Sequence, residues 1–514
     1  MARYTRRMFL STTGALAGSA AFAPPPEVLA AVEAGRARTV SVFHTTDLHG
    51  NILPTKTYEG LSDVGGLARC VSCIRQWRRE SPHSLLVDAG DIVQGTPVSL
   101  ESRGGLMIDL FNELGYDAWV LGNHDFDWGP EPLAANIARS TPPVLTANLE
   151  LAGKPPESLH AAWGKLRPWI MKDVGGFRIA IVGLITPGLG FWLPEETLGG
   201  VLATDPAEAM AKSVAEAKAE GADAVVVVGH MGWKFQDDYA NPVRELLGPA
   251  KGVDVYLAGH SHQNRPTWQV DDVLCSQASY HGIHCGRVDL TFDLATRKLV
   301  DKRAFTLLMD DRFPLDPAVM QAARGDLARS DEELARTVCR VKEPIAGGGR
   351  RSSQLVNLLC DVFAAVLAKR QHPVDGVFHG SFGTERVDAG ELTVADCWKI
   401  LPYDNLLVTA ELSAKELAEV VAEDAKEKKS DRTLWPFTIH FDAGGTPTQV
   451  LHRGREAKPD ERFTIALNSY DSQSGGRRLM KLREILAKPD AKRSLTSIDT
   501  RAALVDGLLD RGEI

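Results

Sequence analysis

The sequence predicts an α/β layered architecture in two units, and three observations lead there. From Val40 to about Leu290, short apolar runs that end in polar or Gly-rich turns alternate with helical patterns, the signature of strands feeding helices. The chain has 514 residues, and with roughly 150 residues per domain as a guide this length calls for about two or three units. Around Val300 to Gly349 the character changes to a charged, helical stretch closing on Gly347-Gly348-Gly349, which reads as a connector.

The predicted strands of the first unit are Thr39–Phe43, Ser84–Val87, Ala118–Leu121, Val144–Ala147, Arg178–Leu184, Ala224–Val228 and Val253–Leu257. Between them, Leu106–Leu114 carries apolar residues at helical spacing and stops at Gly115, a C-terminal glycine signal. Asp205-Pro206-Ala207-Glu208 opens a helix that runs to about Gly221, with an acidic cap, a first-turn proline and a capping glutamate. The second unit begins near Arg350. It contains a helix at Leu355–Leu367, a second opening on the Ser413–Glu416 capping box, and strands at Leu406–Ala410, Pro436–Phe441 and Arg462–Leu467.

The net charge of −9 offers no electrostatic footprint for a long nucleic acid. A phosphate-bearing ligand would need a local positive site, which bound metal ions supply. Thr5-Arg6-Arg7-Met8-Phe9-Leu10, followed by small apolar residues to Ala23, reads as a twin-arginine export signal ending by residue 34. The expected partner is therefore the Tat export machinery and the expected location periplasmic or secreted. No apolar stretch long enough for a membrane span follows the signal. The cysteines number seven. Cys70 and Cys73 lie in a helical stretch and read as buried thiols, whereas Cys275 and Cys285 flank a turn and are the expected disulfide pair.

The chemistry lies just past the strand ends, the edge where open α/β sheets bind ligands. There the chain places Asp47-Leu48-His49, Asp88-Ala89-Gly90-Asp91, Gly122-Asn123-His124-Asp125-Phe126-Asp127, Gly229-His230 and Gly259-His260-Ser261-His262. A single histidine at a strand end is ordinarily a satisfied polar residue, but five strand ends with the same donor chemistry are not. In extended backbone residues i and i+2 point the same way, so each D-x-H or H-x-H pair is expected to grip one centre. Imidazole and carboxylate donors together suit first-row divalent ions, and one aspartate can bridge two of them about 3.5–4 Å apart.

This series of motifs resembles the metallophosphoesterases, and Gly50-Asn51, Gly65-Gly66-Leu67 and Gly122–Asp127 resemble the 5'-nucleotidase branch. The resemblance implies a four-layer α/β/β/α sandwich at 38–300, a connecting helix at 301–349 and a smaller α/β substrate-binding domain at 350–514. It implies that Asp47, His49, Asp91 and His262 hold one metal, and that Asp91, Asn123, His230 and His260 hold another. The two ions would be manganese, zinc, iron or cobalt, and His124 with Asp127 would form the catalytic dyad. The implied substrate is a small phosphate ester, foremost a nucleoside 5'-phosphate. The alternatives are a 2',3'-cyclic phosphodiesterase with 3'-nucleotidase activity, a thiosulfohydrolase of sulfur oxidation and a non-catalytic metal-binding protein.

In the second unit, Arg386 after His379–Glu385, Asn405 in Leu401–Asn405, and Tyr470 with Gly476 resemble the family's substrate-binding elements. Arg386 would pair with phosphate and Tyr470 would stack on a base, with Asn123 completing the substrate contacts. Arg477-Arg478-Leu479 stand where the family has an acidic residue and then an aromatic. These arginines either meet a further anionic group or form a solvated pair.

Overall fold

The computed structural model describes residues 24–348, 353–382, 384, 386–428 and 430–514. The twin-arginine stretch lies outside them, as do Gly349, Gly383 and Glu385. Among the described residues no helix is long and apolar enough to cross a membrane.

Two six-stranded sheets form the first unit. One runs in the order Leu299–Leu308, His284–Asp293, Ala37–Thr45, Ser84–Asp88, Ala118–Val120, Val144–Leu145. Its last four strands are parallel, while His284–Asp293 pairs antiparallel with Ala37–Thr45. The other runs Asn264–Val270, Val273–Ala278, Val255–Ala258, Ala224–His230, Phe177–Ile185, Trp169–Val174. Ala224–His230 is buried along its whole length, as expected of a β-branched run in a sheet covered on both faces.

The sheets face each other through one apolar layer. Val40, Val42, Leu85 and Val120 of the first pack with Ile179, Ile181, Val226 and Leu257 of the second. Beyond the first sheet, Phe43, Leu86 and Trp119 meet helices Leu67–Glu80, Gly105–Leu114 and Pro130–Arg139. Beyond the second, Val182, Val225 and Tyr256 meet helices Pro206–Ala219 and Val243–Leu247. The result is the predicted helix–sheet–sheet–helix sandwich. The Pro206–Ala219 helix starts as read, with the Asp205 carboxylate accepting from the amides of Ala207 and Glu208.

The second unit has a five-stranded sheet, ordered Thr433–Trp435, Gly376–His379, Arg462–Asn468, Leu406–Ser413, Ser494–Asp499. Helices Gln354–Lys369 and Thr500–Arg511 cover one face and helices Ala414–Asp424 and Met480–Leu486 the other. Ser413 and Glu416 form the expected reciprocal cap.

Two expectations need correction. The stretch 301–349 is not helical throughout: strand Leu299–Leu308 completes the first sheet before helix Pro317–Ala335 begins, and strand Thr337–Val341 pairs with Gly390–Thr393. Cys275 and Cys285 are not bonded. Cys275 lies in the second sheet and Cys285 in the first, and all seven cysteines are free and buried. The turn between them joins the sheets instead of folding a hairpin. Burial pushes the Cys275 thiol up to about 12, which keeps it protonated and unreactive.

Candidate metal centre and adjoining cavity

The loops after strands Ala37–Thr45, Ser84–Asp88, Ala118–Val120, Ala224–His230 and Val255–Ala258 converge at one edge of the sandwich. Asp47, His49 and His262 bring donor atoms within 4.8 Å of one another, and so do Asp91, His230 and His260. Asp91 faces both groups, its Oδ2 lying 3.0 Å from His230 Nε2 and 3.7 Å from His49 Nε2. Asn123 Oδ1 is 3.2 Å from His230 Nε2. All seven residues expected from the sequence are thus gathered here.

The backbone achieves this differently from the extended reading. Asp47, His49, Asp91, His260 and His262 all have left-handed φ, at 49°, 48°, 57°, 70° and 55°, a region that non-glycine residues seldom occupy. The expectation that each i, i+2 pair grips one centre holds for Asp47 and His49 but not for His260 and His262, which join different groups. Successive left-handed turns abolish the alternation on which that expectation rested. Close packing fixes the turns. A Cβ on Gly90, at φ +93°, would stand 2.8 Å from His230 Nδ1, and one on Gly122 would collide with the Asp91 carboxylate.

Hydrogen bonds on the outer side aim the donors. His49 Nδ1 meets the Gln94 carbonyl at 2.8 Å and His230 Nδ1 the Ala89 carbonyl at 2.7 Å. These bonds place the proton on Nδ1 and leave Nε2 as a lone-pair donor. Asp125 accepts from the amides of Gly122, Asp91, Ile92 and Val93, tying the Asp91 loop to the Asn123 loop. Asp88 is held by the Thr45 hydroxyl at 2.6 Å and the Gly90 amide at 2.8 Å, and burial pushes it up to about 8.

This donor set fits divalent cations. His49 and His262 direct Nε2 at each other across 3.1 Å, an approach two lone pairs make only around a proton or a cation. Burial disfavours charge on Asp91, yet His230, His124 and His49 hold its carboxyl well below the usual range. His230 is raised to about 9, where Asp91 outweighs burial. In the metal-free protein a proton stands where a cation would.

His124 Nδ1 lies 2.7 Å from Asp127 Oδ2, and the His124 amide donates to Asp91 Oδ1 at 2.8 Å. Burial lowers the imidazole, but Asp127 and Asp91 more than offset this and raise it to about 10. Burial pushes Asp127 up to about 6, so at neutral pH the pair is imidazolium and carboxylate.

A cavity of about 520 Å³ opens from Asn123, His124, Asp127 and His260 toward the second unit. Tyr403, Asn405 and Tyr470 line its far wall. Asn405 Oδ1 accepts from the Ser469 hydroxyl and the Tyr470 amide. Gly476 is not part of the lining; it packs against the Tyr470 hydroxyl with φ +68°, where a Cβ would stand 2.8 Å from that oxygen.

The structure does not bring Arg386 to this wall. Its exposed guanidinium pairs with Asp388 at 2.7 Å, because the strand Arg386–Val387 pairs with Ile345–Ala346 outside the main sheet. The lining arginines are Arg432, forked onto Asp471 at 2.8 and 2.7 Å, and Arg478, bonded to the Tyr470 hydroxyl. Arg477 instead lies over the rings of Phe191 and Tyr239.

Several lining residues escaped the sequence reading. Trp192, 5.1 Å from His260 between ring centroids, sits in a loop without a motif. Asp404 lies beside the recognised Asn405, but its partners are remote. Its Oδ1 takes Arg501 at 2.6 Å, and its Oδ2 takes Gln94 at 3.2 Å and Trp128 at 3.1 Å from the first unit. Both Arg501 and Asp404 are 4 % exposed. Arg501→Met should therefore cost about 3–5 kcal/mol by stranding a buried carboxylate, measured as a lowered denaturant midpoint; an unchanged midpoint would show that Gln94 and Trp128 satisfy Asp404 alone.

Residues 40–264 match the family model for calcineurin-like phosphoesterase, and residues 337–484 match that for the 5'-nucleotidase C-terminal domain. The chain belongs to the calcineurin-like phosphoesterases that carry a 5'-nucleotidase C-terminal domain. Among curated relatives, the trifunctional nucleotide phosphoesterase of Bacillus subtilis is 25% identical over 487 residues, covering 85% of this chain and 32% of that protein. The 5'-nucleotidase of Bos taurus is 28% identical over 373 residues, covering 66% of this chain and 62% of that protein. The aligned segments thus span about a third to three fifths of these relatives' own length. The solved 5'-nucleotidase precursor of Thermus thermophilus superposes with a TM-score of 0.69 at 24% identity, covering 93% of this chain and 97% of that chain. At that identity the likeness establishes the shared fold.

Proposed function

We propose that this protein hydrolyses small phosphate monoesters, foremost nucleoside 5'-phosphates, with two divalent cations held by Asp47, His49, Asp91, Asn123, His230, His260 and His262. One observation carries the reading: Asp91 faces both donor groups; the aromatic-walled cavity opening from the same edge supports it. The names of the relatives support it, as does the likeness to 5'-nucleotidases.

Bound cations would supply an acidified water and polarise the phosphoryl group. His124 donates a hydrogen bond from Nδ1–H to the Asp127 carboxylate and remains protonated at neutral pH. Its imidazolium therefore offers charge and a hydrogen bond to a phosphoryl oxygen as negative charge builds there. Asn123 and Asn405 orient the ester, and Tyr403 and Tyr470 supply ring faces for a base. The twin-arginine stretch supports delivery of this activity outside the cytoplasm.

Purified protein given manganese should hydrolyse AMP, followed by nucleoside formation, faster than it hydrolyses 3'-AMP or opens 2',3'-cyclic AMP, followed by loss of the starting nucleotide, and EDTA should abolish turnover. Faster turnover of the cyclic ester would favour the phosphodiesterase alternative. A metal-loaded protein inert on all three and on p-nitrophenyl phosphate would overturn the hydrolase reading.

A further inference from the structure

His262 differs from its neighbours in how its outer nitrogen is held. His49 and His230 use buried backbone carbonyls. His262 Nδ1 instead meets a side chain, the Tyr58 hydroxyl, at 2.8 Å. Its Nε2 points inward, 3.1 Å from His49 Nε2 and 3.4 Å from Asp47 Oδ1. The His262 side chain is 26 % exposed, against 6 % for His49 and 0 % for His230, so burial restrains this ring less than those two.

Tyr58 comes from the small hairpin Thr55–Lys56 and Ser62–Val64. It is 68 % exposed, yet it is fixed on two sides. Its ring stacks on Tyr280 with centroids 4.3 Å apart and planes 12° apart, and Tyr280 stacks on His262 at 5.1 Å and 19°. Its backbone amide donates to the Tyr280 hydroxyl at 2.8 Å. Burial does not account for an exposed tyrosine whose hydroxyl is aimed at a histidine nitrogen; orientation of that histidine does.

We infer that Tyr58 is a positioning residue, its hydroxyl oxygen accepting a hydrogen bond from His262 Nδ1–H so that Nε2 presents its lone pair to a cation beside Asp47 and His49. The inference rests on the two-cation reading above. An outer partner of this kind fixes both ring orientation and tautomer, and its loss costs about 10–100-fold in metal affinity. The Asp91, His230 and His260 group has no contact with Tyr58 among the hydrogen bonds and ring contacts of the described residues, so the effect is confined to one position.

Tyr58→Phe tests this, because it keeps the ring stack and removes only the hydroxyl. Manganese titration by calorimetry should show two binding events in the parent protein. In the variant one should be weakened about 10–100-fold with the other unchanged, and the metal-free thermal midpoint should match the parent's. Tyr58→Ala should weaken the same event. Parent-like affinity in Tyr58→Phe overturns the assignment, and so does equal weakening of both events. A parent protein that takes up no manganese overturns the two-cation reading and this assignment with it.

Discussion

Asp91→Ala is expected to empty the metal centre and leave turnover at background. Asp91 is 1 % exposed and stands between His230 and His49, so its loss removes the shared donor and the charge that balances several imidazoles. The effect should exceed the about 10–100-fold loss of affinity that removing an outer partner brings. Because Asp91 sits at φ 57°, Asp91→Asn is the sharper companion: asparagine tolerates that backbone and removes only the charge. Metal analysis and phosphate release should fall together in both variants. Near-normal metal content and rate in Asp91→Asn would refute the assigned centre.

His124→Ala should behave differently. The ring is 31 % exposed on the cavity side and belongs to neither donor group, so both metals should remain. The chemical step should slow by about 10²–10⁴, the range for a positioned acid or base. Metal content by mass spectrometry and single-turnover rates separate the two effects. Loss of metal would move His124 into the binding set, and an unchanged rate would exclude it from the chemistry.

The two variants bear on residues that the sequence exposes to different degrees. Asp47, His49, Asp91, Asn123, His230, His260 and His262 were legible because short apolar runs end in the same donor types, and strand ends share one edge. Which donors group together followed from the family resemblance, which put His262 with Asp47 and His49 and His260 with Asp91 and His230 as the structure does, but not from spacing. Spacing assumes extended backbone, whereas these loops turn left-handed, so His260 and His262 part company. The layered α/β character was legible from alternation and the sandwich from the resemblance, although the strand Leu299–Leu308 was hidden within a stretch read as a charged connector. The far wall was the least legible. Arg386 matched a motif but faces Asp388, whereas Arg432 matched none and lines the cavity. Those contacts depend on how separate segments meet, which no local pattern encodes.

The left-handed turns at positions 47, 49, 91, 260 and 262 carry a consequence for how the protein can vary. Aspartate and histidine are among the few side chains at ease in that conformation, so each serves at once as donor and as hinge-pin. A valine or isoleucine introduced there would be rejected by the main chain before any question of ion uptake arose. Evolution at these five points is therefore filtered twice, and only asparagine, glycine or an exchange between aspartate and histidine could replace a donor while leaving the loop's shape intact.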